Sequence, residues 1–123
     1  MGEAARKRIM VTKSYVPDRG DIVWLDFEPT KGHEQKGFRP AFVVSPKMYN
    51  VKIGLLLACP ITSEKKGYPF KVPCDSLKVK GVILADHVRS VDWRARHAKY
   101  IMSVPSSITH EVEARLLSLI QSQ

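Results

Sequence analysis

The chain has only two cysteines, Cys59 and Cys74, and no CxxC pair, so neither a disulfide framework nor a thiolate zinc knuckle organises it. No apolar run reaches the length of a membrane span. Arg6-Lys7-Arg8 lies near the start, but the apolar stretch and small-residue cleavage site of a secretory leader do not follow. A cytoplasmic, reducing setting is the expectation. The four histidines, His33, His87, His97 and His110, are scattered, HExxH is missing, and His33-Glu34 lacks a second histidine one helical turn later. Neither a metal nor a cofactor is therefore expected. Internal repeats and low-complexity segments are also missing, which excludes solenoids and disordered linkers as the basis of the fold.

What is present is one domain's worth of chain, 123 residues, enough to bury a core without covalent staples. Residues 1–14 read as a flexible N-terminal extension, with Met10 an alternative start, and residues 15–123 as a single domain. The net charge of +8 is uneven: Lys31 to Lys99 holds 14 basic and 5 acidic residues, a surplus of +9, and the flanks are close to neutral. A polyanion is the default partner for such a stripe. On charge alone, a solvated face and an anionic membrane surface remain alternatives.

The run Asp21–Phe27 follows the turn signal Pro17-Asp18-Arg19-Gly20 and predicts a first strand. Residues 41–45 and 54–61 predict two more, buried on both faces, with a loop over 46–52 between them. Residues 70–73 predict a short edge strand and 81–86 a further one. Short strands punctuated by Gly and Pro suggest a small, strongly bent barrel, mainly β. After Pro105 the period changes: Ser106 or Ser107 offers an N-cap, and Ile108, Val112, Leu116 and Leu119/Ile120 share one face of a C-terminal helix that closes the core. Cys59, inside Leu55-Leu56-Leu57-Ala58-Cys59, reads as a buried thiol.

The chemistry concentrates in Lys31-Gly32-His33-Glu34-Gln35-Lys36-Gly37-Phe38-Arg39-Pro40, a glycine-punctuated loop between strand-like runs. Cleaving an RNA phosphodiester without metal needs a base for the 2′-hydroxyl, an acid for the leaving 5′-oxygen and cations for the charge building on phosphorus. Glu34 or His33 could move protons, and Arg39, with Arg89 or Arg96, could hold the phosphate. Each has an ordinary reading too: Glu34 a solvated loop acid, Arg39 one half of a strand-entrance ion pair, Thr62 a turn cap, and Arg89 to Lys99 a solvated basic face. Trp93 reads as core packing, and Phe38 as either a base-stacking platform or a plug.

These residues together resemble the MazF/PemK family of toxin ribonucleases. The resemblance runs from about Tyr15 to the last helix. It rests on Arg19-Gly20-Asp21-Ile22, Pro29-Thr30-Lys31-Gly32-His33-Glu34-Gln35 with Gly37 and Arg39-Pro40, Ser45-Pro46 with Asn50, Pro60-Ile61-Thr62, and Lys66-Gly67-Tyr68-Pro69-Phe70. Gly81-Val82, Asp86-His87-Val88-Arg89-Ser90 and Trp93-Arg94-Ala95-Arg96 extend it, and with Tyr15-Val16-Pro17-Asp18 they place it nearest the MazF branch. The resemblance implies an SH3-like barrel of the PemK/CcdB type, a homodimer, and metal-independent cleavage of single-stranded RNA at a short sequence, leaving 2′,3′-cyclic phosphate and 5′-hydroxyl ends. It also implies an acidic, MazE-like antitoxin over the RNA groove, and no membrane partner.

By the same resemblance the catalytic positions are Arg39, as phosphate-stabilising cation and acid, Thr62, as orienting partner, and Glu34, as base. RNA contacts are expected at Lys31, His33, Phe38, Arg89 and Arg96. One departure stands out: the PemK branch has an arginine two residues before the aspartate that matches Asp86, and here that position is Leu84, so Asp86 is expected to orient an arginine instead. The alternatives are a gyrase-poisoning toxin of the CcdB kind, which shares the fold and cuts nothing, and a plain nucleic-acid-binding module.

Overall fold

Gly20, at φ 94°, closes the turn that feeds β1 (Asp21–Asp26), and its amide donates to Val43 O at 2.9 Å. The computed structural model describes residues 15–27, 37–63, 65–74 and 78–121. Six further strands follow β1: β2 (Phe38–Val43), β3 (Leu56–Thr62), β4 (Lys71–Pro73), β5 (Val82–Leu84), β6 (Arg89–Val91) and β7 (Lys99–Ser103). Helix α1 (Lys47–Ile53) joins β2 to β3, and α2 (Ser106–Ile120), capped by Gln121, is the last element. All pairings are antiparallel, in the order β4-β5-β3-β2-β1-β7, with β6 off that path.

β3 is what bends the sheet. Its first half pairs with β6 (Leu56↔Val91) and its second half with β5 (Ile61↔Ile83), so one long strand serves two neighbours on the same side. The result is a sharply curved sheet that does not close among the described residues; the barrel of the sequence reading is an open one. Alternation along the strands sends side chains to two cores. Ile22, Phe42, Cys59 and Ile61 pack with Val72, Ile83 and Val112 on one side. On the other, Val23, Leu25, Ala41, Val43, Leu56 and Ala58 pack with Val91 and Trp93. Burial of Ala41, Phe42 and Val43 in succession bears out the two-sided reading of that run.

The expected loop over 46–52 is instead α1. Its Met48, Val51 and Ile53 are exposed, so no apolar face announced it. It is held at its start, where Lys47 N donates to Asp18 Oδ1 (2.8 Å), and at Asn50, whose fully buried side chain donates to Pro17 O (2.8 Å) and Ser45 O (3.0 Å) and accepts from Ser45 Oγ, while Trp93 Nε1 donates to its carbonyl. Gly54, in the left-handed region, ends the helix. Trp93 is thus core, as read.

In α2 the N-cap is Pro105, with no side-chain cap, rather than Ser106 or Ser107. Val112 is fully buried and Ile108 packs beside it, but Leu119 and Ile120 are exposed, because the last turn runs past the core. Strands β6 and β7 were not anticipated; their residues are mostly polar and exposed, which hides the alternation. Residues 1–14 lie outside the described residues. Among the described residues no helix is long and apolar enough to cross a membrane.

Candidate nucleic-acid interface

Pairing of β2 with β3 sets Ala41 opposite Pro60. The same register continued two residues outward sets Arg39 opposite Thr62, and on the other flank of β3 Arg89 stands opposite Ala58. Since cross-strand neighbours share a face, Arg39, Thr62 and Arg89 are directed to one side of the sheet, over a floor of small residues. There they line a cleft of about 350 Å³ with Phe27, Gly37, Pro60 and Ile61. Two positions that are far apart in sequence thus meet, as the reading of Arg39 and Thr62 requires.

The cleft is lined by cations. Arg39 is exposed, and its Nη1 donates to the Phe38 carbonyl at 3.2 Å. Arg89 lies over the Phe27 ring at 5.2 Å and Arg96 at 5.8 Å, so one aromatic ring carries two guanidinium groups. Arg96 is further fixed by its Nη1 to Asp26 O (3.2 Å), and the Asp92–Lys99 segment that presents it is tied down by Asp26 N to Arg96 O (2.8 Å). Lys99 Nζ sits 5.3 Å from the Phe38 ring, which is half-buried: Phe38 is neither a free platform nor a full plug.

Thr62 owes its place to a glycine. A Cβ on Gly81, at φ 125°, would stand 2.2 Å from Thr62 O, so only glycine lets β5 close on the end of β3. Glu34, Lys31 and His33 lie outside the described residues, as does most of the loop that carries them.

Among the described residues Asp86 orients no arginine. Tyr68 Oη donates to Asp86 Oδ2 at 2.5 Å, Oδ1 is buried with no hydrogen-bond partner among the described residues, and Leu84 is packed away at 4% exposure. The partner is Tyr68 because its loop folds back over the end of β5, and nothing in the spacing of the two residues signalled it. Among the described residues no cluster of His, Cys, Asp and Glu could hold a metal ion. Cys59 is buried, and burial, with the Asp86 charge adding to it, pushes its thiol up to about 12, as befits a core thiol rather than a nucleophile.

Known proteins share this arrangement of strands. The chain is 49% identical over 106 residues to the endoribonuclease toxin MazF of Escherichia coli strain K12, covering 86% of this chain and 96% of that protein. It is 37% identical over 118 residues to the endoribonuclease toxin ChpB of the same strain, covering 91% of this chain and all of that one (100%). A crystal structure of a MazE–MazF complex from Deinococcus radiodurans superposes with a TM-score of 0.77 at 48% identity, over 87% of this chain and 97% of that one. Residues 18–120 match the model of the PemK-like, MazF-like toxins of type II toxin–antitoxin systems, and the chain belongs to that family.

Proposed function

We propose that this toxin is a sequence-specific endoribonuclease that cleaves single-stranded RNA without a metal, leaving 2′,3′-cyclic phosphate and 5′-hydroxyl ends. The observation that carries the reading is the convergence of Arg39, Thr62 and Arg89 on one cleft, within a stretch bearing +9. In the reaction the 2′-oxygen attacks phosphorus, its proton passes to a base, the P–O5′ bond breaks and the 5′-oxygen takes up a proton. Arg39 holds the phosphate and stabilises the charge on its oxygens, which a planar fork does bidentately. Thr62 orients the phosphate by hydrogen bonding. Glu34 is the base in this scheme, with Lys31, His33, Phe38, Arg89 and Arg96 along the RNA.

The substrate is single-stranded because unstacked bases expose their edges, whereas an A-form duplex hides them. The protein acts as a homodimer, and an acidic antitoxin segment, MazE-like, covers the same cationic face. Its setting is the cytoplasm, where such RNA is found. The relatives described above are endoribonucleases, which leaves the gyrase-poisoning alternative without support. The test is incubation of purified protein with a long mixed-sequence RNA in excess EDTA, followed by mapping of 5′-hydroxyl ends. Discrete cuts are expected in single strands, none in duplex, and none where the 2′-hydroxyl at the cut site is replaced by hydrogen. A requirement for added divalent metal would overturn the proposal.

A further inference from the structure

A second recess, of about 210 Å³, adjoins the cleft and shares Phe27, Pro60 and Arg89 with it. His87 stands at its wall, with Ala41 and Ala58 below. The imidazole is about half exposed (48%) and belongs to a chain of three groups. Tyr68 Oη donates to Asp86 Oδ2 at 2.5 Å and lies 3.1 Å from His87 Nε2, the two rings meeting edge-on at 85°.

The order of donors in this chain is fixed by proton counting. A phenol has one proton, and the carboxylate takes it, since an ionised carboxylate only accepts. That hydrogen bond, ahead of burial and of the Asp86 charge itself, raises the Tyr68 pKa, so the phenol stays protonated. The phenol oxygen is then left to accept from His87, which places the ring proton on Nε2. In the neutral imidazole the other nitrogen, Nδ1, must be an acceptor. Among the described residues nothing hydrogen-bonds Nδ1. Lys65 approaches the Tyr68 ring at 5.5 Å and Arg89 shares the recess; among the described residues the carboxylate in this group is Asp86.

We propose that His87 is a specificity-determining residue: its Nδ1, held as an acceptor by Tyr68 and Asp86, takes the exocyclic amino group of an adenine or cytosine beside the scissile phosphate. Uracil and guanine present a carbonyl at the equivalent edge position and meet a lone pair with a lone pair. The recess has room for one base over Ala41, Ala58 and Pro60, with the Arg89 guanidinium available to stack. Tyr68 is a positioning residue that acts through the tautomer of His87. The inference rests on the reading of the adjoining cleft as an RNA-cleaving site, and it adds which base chemistry that site prefers.

Two assays separate the inference from that reading. Binding is measured with a short RNA made uncleavable by a 2′-deoxy residue at the cut, carrying adenine, or purine without the amino group, or cytosine, or uracil, at the positions flanking it. Cleavage is measured on a library randomised at the same positions. Wild type is expected to favour adenine over purine and cytosine over uracil at one flanking position by about tenfold or more, the size of a single base-edge contact. His87→Ala should flatten that preference to within about threefold while still cutting. In Tyr68→Phe, nitrogen-15 shifts of the imidazole should report a mixture of tautomers in place of the Nε2–H form, with partial loss of preference. Cleavage by wild type with a base profile unchanged in His87→Ala overturns the inference and leaves the nuclease reading intact. Selective binding without any cleavage overturns the nuclease reading and leaves the base contact standing.

Discussion

The molecule contains the same pair of groups twice, with different outcomes. In each, a tyrosine hydroxyl donates to an aspartate at 2.5 Å: Tyr15 to Asp21 under the sheet, and Tyr68 to Asp86 beside the cleft. Asp21, 6% exposed, is fully used, since Asp18 N and Ser103 Oγ also donate to it, at 3.0 and 2.8 Å. Asp86 keeps one buried oxygen unmatched among the described residues and has His87 3.9 Å away. Burial is the leading reason that the Tyr15 pKa is raised, and the hydrogen bond to Asp86 the leading reason for Tyr68. A polar network that serves the fold saturates its acceptors; one beside a ligand site keeps some in reserve.

Substitutions should divide along the same line. The largest effect is expected from Arg39→Ala: cleavage falls about a hundredfold or more, as on removal of a transition-state charge stabiliser, while the melting temperature moves by no more than about 3 °C. Arg39→Lys should rescue little, because an ammonium does not reproduce the fork. Single-turnover kinetics beside a thermal melt measures both, and a folded Arg39→Ala with near wild-type rates would end the assignment. Next in size, Asp21→Asn should cost about 1–3 kcal/mol, since at least one of three donors loses its acceptor. Asp86→Asn should cost less than about 1 kcal/mol or stabilise, since it removes a charge whose burial is only half compensated. Equal losses in urea titrations of the two would erase the distinction between the networks.

The sequence revealed these regions unequally, for physical reasons. Ala41-Phe42-Val43 and Leu56 to Ile61 were legible as strands because burial on both faces leaves an uninterrupted apolar run. Helix α1 was not, because Asn50 and Trp93 hold it through tertiary hydrogen bonds while its apolar residues face outward. Nor were β6 and β7, where Arg89, Lys99 and the exposed serines mask the alternation. At the site, Arg39 was singled out by the chemistry of its loop as well as by motif resemblance and Thr62 by the resemblance alone, and the β2–β3 register supplies the reason that they meet. The link between Tyr68 and His87 carries no local signature, because the residues lie on different loops that only the fold brings together.

A smaller effect is expected where the cleft meets bulk solvent. Arg89→Ala with Arg96→Ala should weaken binding of single-stranded RNA and reduce the salt dependence by about 1.4 to 2 units of log K per log salt, the share of two phosphate contacts. An acidic antitoxin segment should compete with RNA for this face and lose affinity in the same double variant. Fluorescence anisotropy across a salt series, with and without an acidic peptide, measures both. Unchanged slopes, or a ternary complex without interference, would show that the charge stripe is a solvated face and that the antitoxin binds elsewhere.

The smallest effect tests whether the charge beside the cleft is felt inside the core. Cys59 Sγ is fully buried and donates to Ala85 O at 3.6 Å, and its thiol is pushed up to about 12, first by burial and then by the charge of Asp86. The unfolded chain ionises this thiol near its ordinary 9.0, so the contribution to stability is complete below that pH and is lost as pH climbs from 9.0 towards about 12. At pH 9 the native protein should therefore react with iodoacetamide at Cys59 about a thousandfold more slowly than the unfolded chain, before any steric protection is added. Asp86→Asn should speed the native reaction by less than about tenfold, one pKa unit, because burial is the larger cause and is untouched. Mass spectrometry of tryptic peptides after timed labelling gives the rates. Native labelling as fast as unfolded labelling would mean that the core opens at Cys59. A gain well beyond tenfold in Asp86→Asn would mean that the Asp86 charge, and not burial, governs the thiol, and that cleft and core are electrostatically one region.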